Sequence, residues 1–191
     1  VVVCSDNGPV MDDGYVDFAL EKRGDHRAAG PLRGGKYSVF EGGTRTPFIA
    51  RWKGQVAPRV SDEIVCTIDL AASFAALAGE PVPAQGFPDS FDVSGVLLGR
   101  PGAKGRASLV QQDNGQAGNF GYRSGQWKLV RHDSGRAYNQ RVEEPLRNTP
   151  VPPFQLFDLA QDIGESRDLT VARPEVFERM KSELSAIIAA G

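Results

Sequence analysis

The chain has 191 residues, with 22 Lys and Arg against 24 Asp and Glu, and its formal net charge is −2. This near balance argues against a basic nucleic-acid-binding surface, and no apolar run is long enough to cross a bilayer. Two cysteines exclude a disulfide framework, while 22 glycines and 13 prolines predict many loops. We therefore expect a loop-rich domain with neither a nucleic-acid nor a membrane partner.

The chain opens with an apolar, β-branched run from Val1 to Cys4, which ends at the turn formers of residues 5–9. Such a run is typical of a strand buried on both faces of a largely parallel sheet under helices. Residues 47–52 predict a second buried strand. Because Val1 is preceded by neither an initiator Met nor a basic segment, we expect the chain to be the continuation of a longer protein.

An almost wholly apolar segment at 68–78 has Thr67 at the N-cap position and Gly79 directly after it. This pattern predicts a buried helix that packs on the sheet. Residues 80–107 lose periodicity and are rich in turn formers. We place a domain boundary near residue 105.

The remaining segments predict a small antiparallel sheet covered by a helix. Short strands are expected at 108–111, 120–123, 126–131 and 154–159. Ser124-Gly125 joins two of them as a hairpin turn. A helix should begin at Pro174, and one stripe of it is apolar. The stripe contains Val176, Phe177, Met180, Leu184, Ile187 and Ile188.

Asp6 and Asn7 follow the first strand and are the first candidate site. In open α/β sheets, ligands bind at the carboxyl ends of strands. A carboxylate beside an amide oxygen suits a hard cation such as Ca²⁺ or Mg²⁺, although two ligands are too few for a complete shell. The alternative is that Asp-Asn-Gly forms only a turn.

A glycine-rich loop around Lys36 is the second candidate site. Paired glycines allow a ligand to approach the backbone, and Lys36 offers a point charge for an oxyanion. His26, in the same long loop, is a candidate donor to a substrate anion. The alternatives are a solvated lysine and a surface histidine. Glu41 and Arg45 are spaced to form an ion pair that anchors the loop.

Taken together, these segments resemble the type I sulfatases of the alkaline phosphatase superfamily. The resemblance rests on Cys4-Ser5-Asp6-Asn7-Gly8-Pro9, on Glu41-Gly42-Gly43-Thr44-Arg45-Thr46-Pro47, and on residues 31–37, 48–49, 68–70, 77–79, 123–129, 156–159 and 162–166. Each segment is weak alone, but they follow one another in the family's order over nearly the whole chain. The implied fold is α/β: residues 1–105 would be the C-terminal remnant of the large sulfatase domain, and residues 106–191 a small α+β subdomain.

The resemblance also implies roles for single residues. Asp6 and Asn7 match the pair that binds the active-site divalent cation, usually Ca²⁺. Lys36 matches the lysine that contacts the sulfate group, and would be both catalytic and substrate-binding. His26 lies where some members have a substrate-contacting residue.

The family's nucleophile is formylglycine, made from a Cys/Ser-x-Pro-x-Arg motif that this sequence does not contain. We therefore expect the motif in a missing N-terminal half, and no activity from the 191 residues alone. The predicted function is the C-terminal part of a sulfuric ester hydrolase. A related phosphate or phosphonate ester hydrolase, and a non-catalytic binding module derived from a sulfatase, remain alternatives.

The resemblance implies a sulfated small molecule or carbohydrate as substrate, without naming which one. Loops 10–30 and 112–119 are where sulfatases for different substrates would differ. Family members are commonly periplasmic or secreted, while the chain itself contains no segment that shows its location. The two cysteines, Cys4 and Cys66, are predicted to be buried apolar residues.

Overall fold

The computed structural model describes residues 1–10, 15–81, 86–113, 119–133 and 151–190. Parts of the loops at 10–30 and 112–119 therefore lie outside the described residues. The elements in chain order are β1 (Val2–Cys4), α1 (Ala19–Lys22), α2 (Glu41–Thr44), β2 (Phe48–Ala50), α3 (Asp69–Ala78), α4 (Ser94–Leu97), β3 (Ser108–Gln112), β4 (Asn119–Ser124), β5 (Trp127–His132), β6 (Phe154–Asp158) and α5 (Pro174–Ala190).

The chain divides into two compact units. The first unit comprises Val1–Asp6 and Pro47–Leu109, and the second comprises Asn7–Thr46 and Val110–Gly191. The glycine-rich loop thus belongs with the C-terminal part of the chain. The sequence boundary near residue 105 stays a prediction.

In the first unit, β1 and β2 form a two-stranded antiparallel sheet in which Val3 lies opposite Ile49. Val3 is 58% exposed and Ile49 is 61% exposed. The predictions of two buried strands and of a largely parallel arrangement are therefore wrong for the described residues. An unbroken apolar run indicates a strand, but it specifies neither the direction of the neighbouring strand nor what covers its faces.

The predicted burial of the cysteines is also wrong. Cys4 is exposed because it lies in β1, whose side chains remain largely in contact with solvent. Cys66 is half-buried just before α3.

Helix α3 ends at Gly79, whose φ of 76° is the left-handed conformation expected of a C-terminal glycine. Its start differs from the prediction: Ile68, not Thr67, occupies the N-cap position, and no side chain caps it. The Asp69 carboxylate instead accepts the Cys66 backbone amide, just before the helix, at 2.8 Å. Ala72 is buried, whereas Phe74 is 48% exposed. Helix α3 is thus buried on one face only, whereas its almost wholly apolar sequence predicted burial all round.

The second unit contains the confirmed antiparallel sheet. Its strand order is β3-β4-β5-β6, and both β4–β5 and β5–β6 are antiparallel. Ser124 pairs with Trp127, so the two-residue hairpin turn is Gly125-Gln126, one position later than predicted. Gly125 adopts a φ of 57°, a conformation that glycine reaches without steric cost.

Helix α5 begins at Pro174, as predicted, and packs on this sheet through Met180 and Leu184, both essentially inaccessible to solvent. Tyr122 packs in the same cluster, and its hydroxyl donates to Glu183 at 3.0 Å. Ile187, placed in the apolar stripe by the sequence, is 42% exposed at its edge. Of the helices in the described ranges, none has the length and apolar character to span a membrane.

Candidate functional site

Two predicted site segments meet in the second unit. The amide of Gly8, which follows Asn7, donates to the Gly43 carbonyl at 2.9 Å, and the Lys36 amide donates to the Pro9 carbonyl at 3.0 Å. These backbone hydrogen bonds join residues 7–9, the Asn7 segment, to α2 and to the glycine-rich loop at 31–37, the Lys36 loop, although about thirty residues separate them in sequence.

Lys36 lies on a sharply turned part of that loop and is half-buried. Gly34 before it has a φ of 79°, and Tyr37 after it has a φ of 76°. For a residue with a side chain, this left-handed conformation costs about 1–3 kcal/mol, and it persists only where surrounding contacts impose it. The Lys36 ammonium lies 5.0 Å from the centre of the Tyr37 ring, within the range of a cation–π contact.

The candidate cation ligands offer oxygen donors. Asp6 is exposed immediately after β1, and it belongs to the first unit. The Asn7 side-chain nitrogen donates to the Gly8 carbonyl at 2.9 Å, a bond that does not involve the Asn7 amide oxygen. Both residues fit a hard cation, but Ca²⁺ takes six to eight oxygen ligands. Within the described ranges, no group of three or more His, Cys, Asp or Glu could hold a metal ion.

His26 lies on an exposed turn after α1, where its amide donates to the Arg23 carbonyl at 3.1 Å. The hydrogen bonds that join the Asn7 segment to the Lys36 loop do not involve it. The structure therefore adds no contact that connects His26 with Lys36, and its proposed role stays a prediction.

The short helix α2 is packed directly against the Lys36 loop through two glycines. A Cβ atom on Gly42 would lie 2.4 Å from the Arg33 carbonyl oxygen, and one on Gly43 would lie 2.4 Å from that of Gly35. The amide of Gly42 donates to the same Arg33 carbonyl at 2.6 Å. Any side chain at either position would displace the loop, which explains why both residues are glycine.

The predicted Glu41–Arg45 ion pair is present, with 2.5 Å between the Arg45 guanidinium and the Glu41 carboxylate. The structure adds Lys128 and Glu165 to it. The Lys128 ammonium is 2.8 Å from one Glu41 carboxylate oxygen and 3.5 Å from a Glu165 oxygen. The backbone amide of Glu41 donates to Glu165 at 2.6 Å. We call Glu41, Lys128 and Glu165 the buried charge cluster.

The two carboxyl groups of the cluster have opposite pKa shifts. Burial raises the pKa of Glu41, but the charge and hydrogen bond of Lys128, with the Arg45 charge, outweigh burial and hold this pKa below its usual value. Burial also raises the pKa of Glu165, and here the more distant Lys128 does not compensate, so the pKa stays above its usual value. Lys128 is therefore primarily the partner of Glu41.

Sequence reasoning missed the cluster as a functional element. The sequence places Lys128 in a strand and in a segment of the resemblance, and Glu165 in another such segment, without a role for either. One signal was available: Lys128 immediately precedes Leu129-Val130 in a strand, and a lysine among buried residues needs a partner. Which carboxylate would meet it depends on contacts across 87 residues of chain.

Comparison with known proteins gives one coherent result. Residues 1–80 match the Sulfatase family model. The chain is 37% identical over 98% of its length to an N-acetylgalactosamine-6-O-sulfatase of Bacteroides thetaiotaomicron, and 34% identical over 95% to human Arylsulfatase A. It spans about a third of these relatives, 36% of each, in their C-terminal part.

Solved structures give the same result for the fold. One solved structure comes from work on the metabolism of multiple glycosaminoglycans by Bacteroides thetaiotaomicron. It matches 98% of this chain and 38% of its own chain, with a TM-score of 0.83 and 34% sequence identity. The crystal structure of Ps i-CgsB with k-i-k-neocarrahexaose matches 97% of this chain and 35% of its own, with a TM-score of 0.71 and 25% identity. The predicted fold is confirmed, and the chain belongs to the sulfatase family.

Proposed function

We propose that the protein containing this chain hydrolyses sulfate esters of carbohydrates. One observation carries the proposal: the Asn7 segment and the Lys36 loop are joined in a chain 37% identical to an N-acetylgalactosamine-6-O-sulfatase. The carbohydrate class is supported by that relative's name and by the neocarrahexaose bound to Ps i-CgsB.

Lys36 would bind the sulfate group and act on it directly. Its ammonium would offset the negative charge of the sulfate oxygens as the sulfur–oxygen bonds rearrange. A fixed charge has a stronger effect in a half-buried site than on an exposed surface, because less water screens it. The contact of the Lys36 ammonium with the Tyr37 ring supports this role, since it restricts where the ammonium can lie.

Asp6 and Asn7 would hold the divalent cation, Ca²⁺ or in its place Mg²⁺, through their side-chain oxygens. When bound, the cation would polarise the sulfate oxygens as a Lewis acid. The other ligands, and the formylglycine nucleophile, would come from outside the 191 residues, whose sequence contains no Cys/Ser-x-Pro-x-Arg motif.

The test is sulfate release by the complete gene product from 6-O-sulfated N-acetylgalactosamine and from an aryl sulfate. We expect sulfate release, and we expect Lys36→Ala to lower kcat/KM about 10²–10³-fold, as for the loss of one charge-stabilising donor. Lys53→Ala, at an exposed lysine of the first unit, is the matched control. Hydrolysis of phosphate or phosphonate esters without sulfate release would contradict the proposal, and so would cation binding without any hydrolysis.

A further inference from the structure

The buried charge cluster contains three charged side chains that are almost completely shielded from solvent. Lys128 is 0% exposed, Glu165 is 1% exposed and Glu41 is 2% exposed. They come from three separate parts of the second unit: β5, the turn after β6, and the start of α2. Removing three charges from water costs several kcal/mol per ion, and well-packed apolar residues are often at least as stable in such places. Stability alone therefore does not account for the cluster.

The sheet is shaped to admit Lys128. Gly121 in β4 lies beside it, and a Cβ atom at this position would be 3.3 Å from the Lys128 side chain and 3.2 Å from the Val39 carbonyl. The absence of a side chain at Gly121 gives both the lysine and the residues before α2 the space that they occupy.

The turn that carries Glu165 is held in a defined geometry. Asp162 accepts hydrogen bonds from the amides of Ser166 and Arg167 at 2.7 and 2.8 Å. Glu165 itself has a φ of 52°, which is uncommon for a residue with a side chain. Its carboxylate and Lys128 bind opposite ends of the same residue, one the Glu41 amide and the other the Glu41 side chain.

These contacts act on a helix that is too short to be stable by itself. Helix α2 has four residues, and isolated helices of fewer than about 12 residues are marginal in water. Tertiary contacts must therefore hold it, and those at Glu41 do so at its first residue. The next two residues, Gly42 and Gly43, are the ones that pack on the Lys36 loop.

We propose that Lys128, Glu41 and Glu165 are positioning residues for Lys36. They fix the start of α2, and α2 supports from behind the loop that presents the Lys36 ammonium to the sulfate group. The inference rests on the proposed function of Lys36. The cluster acts only through the loop and does not itself touch the substrate.

The test is a double-mutant cycle in the complete gene product, with kcat/KM measured on an aryl sulfate. We expect Lys128→Met to lower kcat/KM about 10- to 100-fold in the wild-type background, the size of effect that a misplacement near 1 Å produces. In the Lys36→Ala background the same substitution should change kcat/KM less than about twofold, since the loop then has no ammonium to position. An equal loss in both backgrounds would overturn the proposal.

Glu165→Gln is the second variant, because it keeps the size of the side chain and an oxygen for the Glu41 amide. It should give a smaller loss with the same dependence on Lys36. Lys104→Met, which breaks an exposed ion pair with Glu63, is the matched control and should leave kcat/KM unchanged.

Hydrogen exchange gives a readout that does not depend on activity. In either cluster variant, the amides of residues 33–44 should exchange faster while those of β5 and β6 keep their protection. Unchanged exchange at 33–44 would overturn the positioning role. The two proposals can fail separately. If Lys36→Ala left sulfate release unchanged, the proposed function of Lys36 would fail. If exchange at 33–44 still rose in the cluster variants, the support of the loop by the cluster would stand.

Discussion

The second unit buries its apolar residues within its own sheet and helix, whereas the first unit leaves many of its apolar residues exposed. Leu129, Leu156 and Met180 in the second unit are essentially inaccessible. Val3 and Ile49 in the first unit, which also lie in strands, are more than half exposed. Burial of apolar surface is the main stabilising contribution to folding. The same residue types should therefore differ strongly in their contribution to stability between the two units.

The first unit also contains a largely apolar cavity of about 470 Å³. Its lining comprises Val1, Val2, Ala50, Arg51, Trp52, Val56, Phe74, Leu77, Ala78, Leu97 and Leu98. Side chains that line a cavity lose packing partners on one side. A buried ion pair is also present in this unit: Asp69, itself fully buried, lies 2.6 Å from the Arg106 guanidinium.

The buried ion pairs of the two units differ as well. In the first, burial raises the pKa of Asp69, but hydrogen bonds from Arg106 and two backbone amides outweigh burial and hold it below its usual value. In the second, Glu41 and Glu165 share Lys128, and only the pKa of Glu41 is lowered. A carboxylate with its own bidentate partner has a lowered pKa, whereas the pKa values of two carboxyl groups that share one lysine shift in opposite directions.

The largest expected effect is in the core of the second unit. Met180→Ala should lower the free energy of unfolding by about 2–5 kcal/mol, because it leaves a cavity between α5 and the sheet. Urea unfolding of the 191-residue chain measures this. Ile187→Ala, on the same helix but 42% exposed, is the control and should cost clearly less. Equal losses for the two variants would show that α5 does not seal the core.

The second expected effect is on pH dependence. The lowered pKa of Glu41 contributes stability that is present above pH 4.5 and is lost as the pH falls through its folded-state value. The raised pKa of Glu165 contributes stability that is present below pH 4.5 and is lost as the pH rises through its folded-state value. One proton changes the unfolding free energy by at most about 1.4 kcal/mol per pH unit.

Glu41→Gln should therefore flatten the loss of stability below pH 4.5, and Glu165→Gln should flatten the loss above it. Unfolding titrations from about pH 3 to about pH 8, a range that extends on both sides of the usual glutamate pKa, measure both slopes. Glu178→Gln, at an exposed carboxylate, controls for the substitution itself. If the unfolding free energy of both variants depended on pH as it does in the wild type, the pKa shifts assigned to Glu41 and Glu165 would be contradicted.

The smallest expected effect is that of Val3→Thr, which is compared with the same substitution in the core of the second unit. Val3→Thr in exposed β1 should change the free energy of unfolding by no more than about 0.5 kcal/mol. Val130→Thr, in β5 at 0% exposure, places a hydroxyl in an apolar environment and should cost about 1–3 kcal/mol. Similar values for the two variants, measured by urea unfolding of the 191-residue chain, would abolish the contrast between the units.

Local patterns were sufficient where a single element decided the outcome. Pro174 and the apolar stripe marked α5, and alternating residues around Gly125 marked the hairpin, because capping and periodicity act within a few residues. The same reasoning failed for β1, since burial depends on which surfaces cover Val3 and not on its neighbours in sequence. It failed for the start of α3, where Ile68 and not Thr67 occupies the N-cap position, without a side-chain cap.

For the site, the sequence determined which groups are available: Asp6 and Asn7 carry oxygen donors, Lys36 and His26 carry groups able to bind an anion, and the order of motifs indicates the family. Their roles in the site stay predictions. Tertiary structure alone joined the Asn7 segment to the Lys36 loop and brought Glu165 to Glu41 across 124 residues. The physical reason is that a residue's type sets what it can bind, whereas the partner of a buried charge is whichever group the fold brings within hydrogen-bond distance.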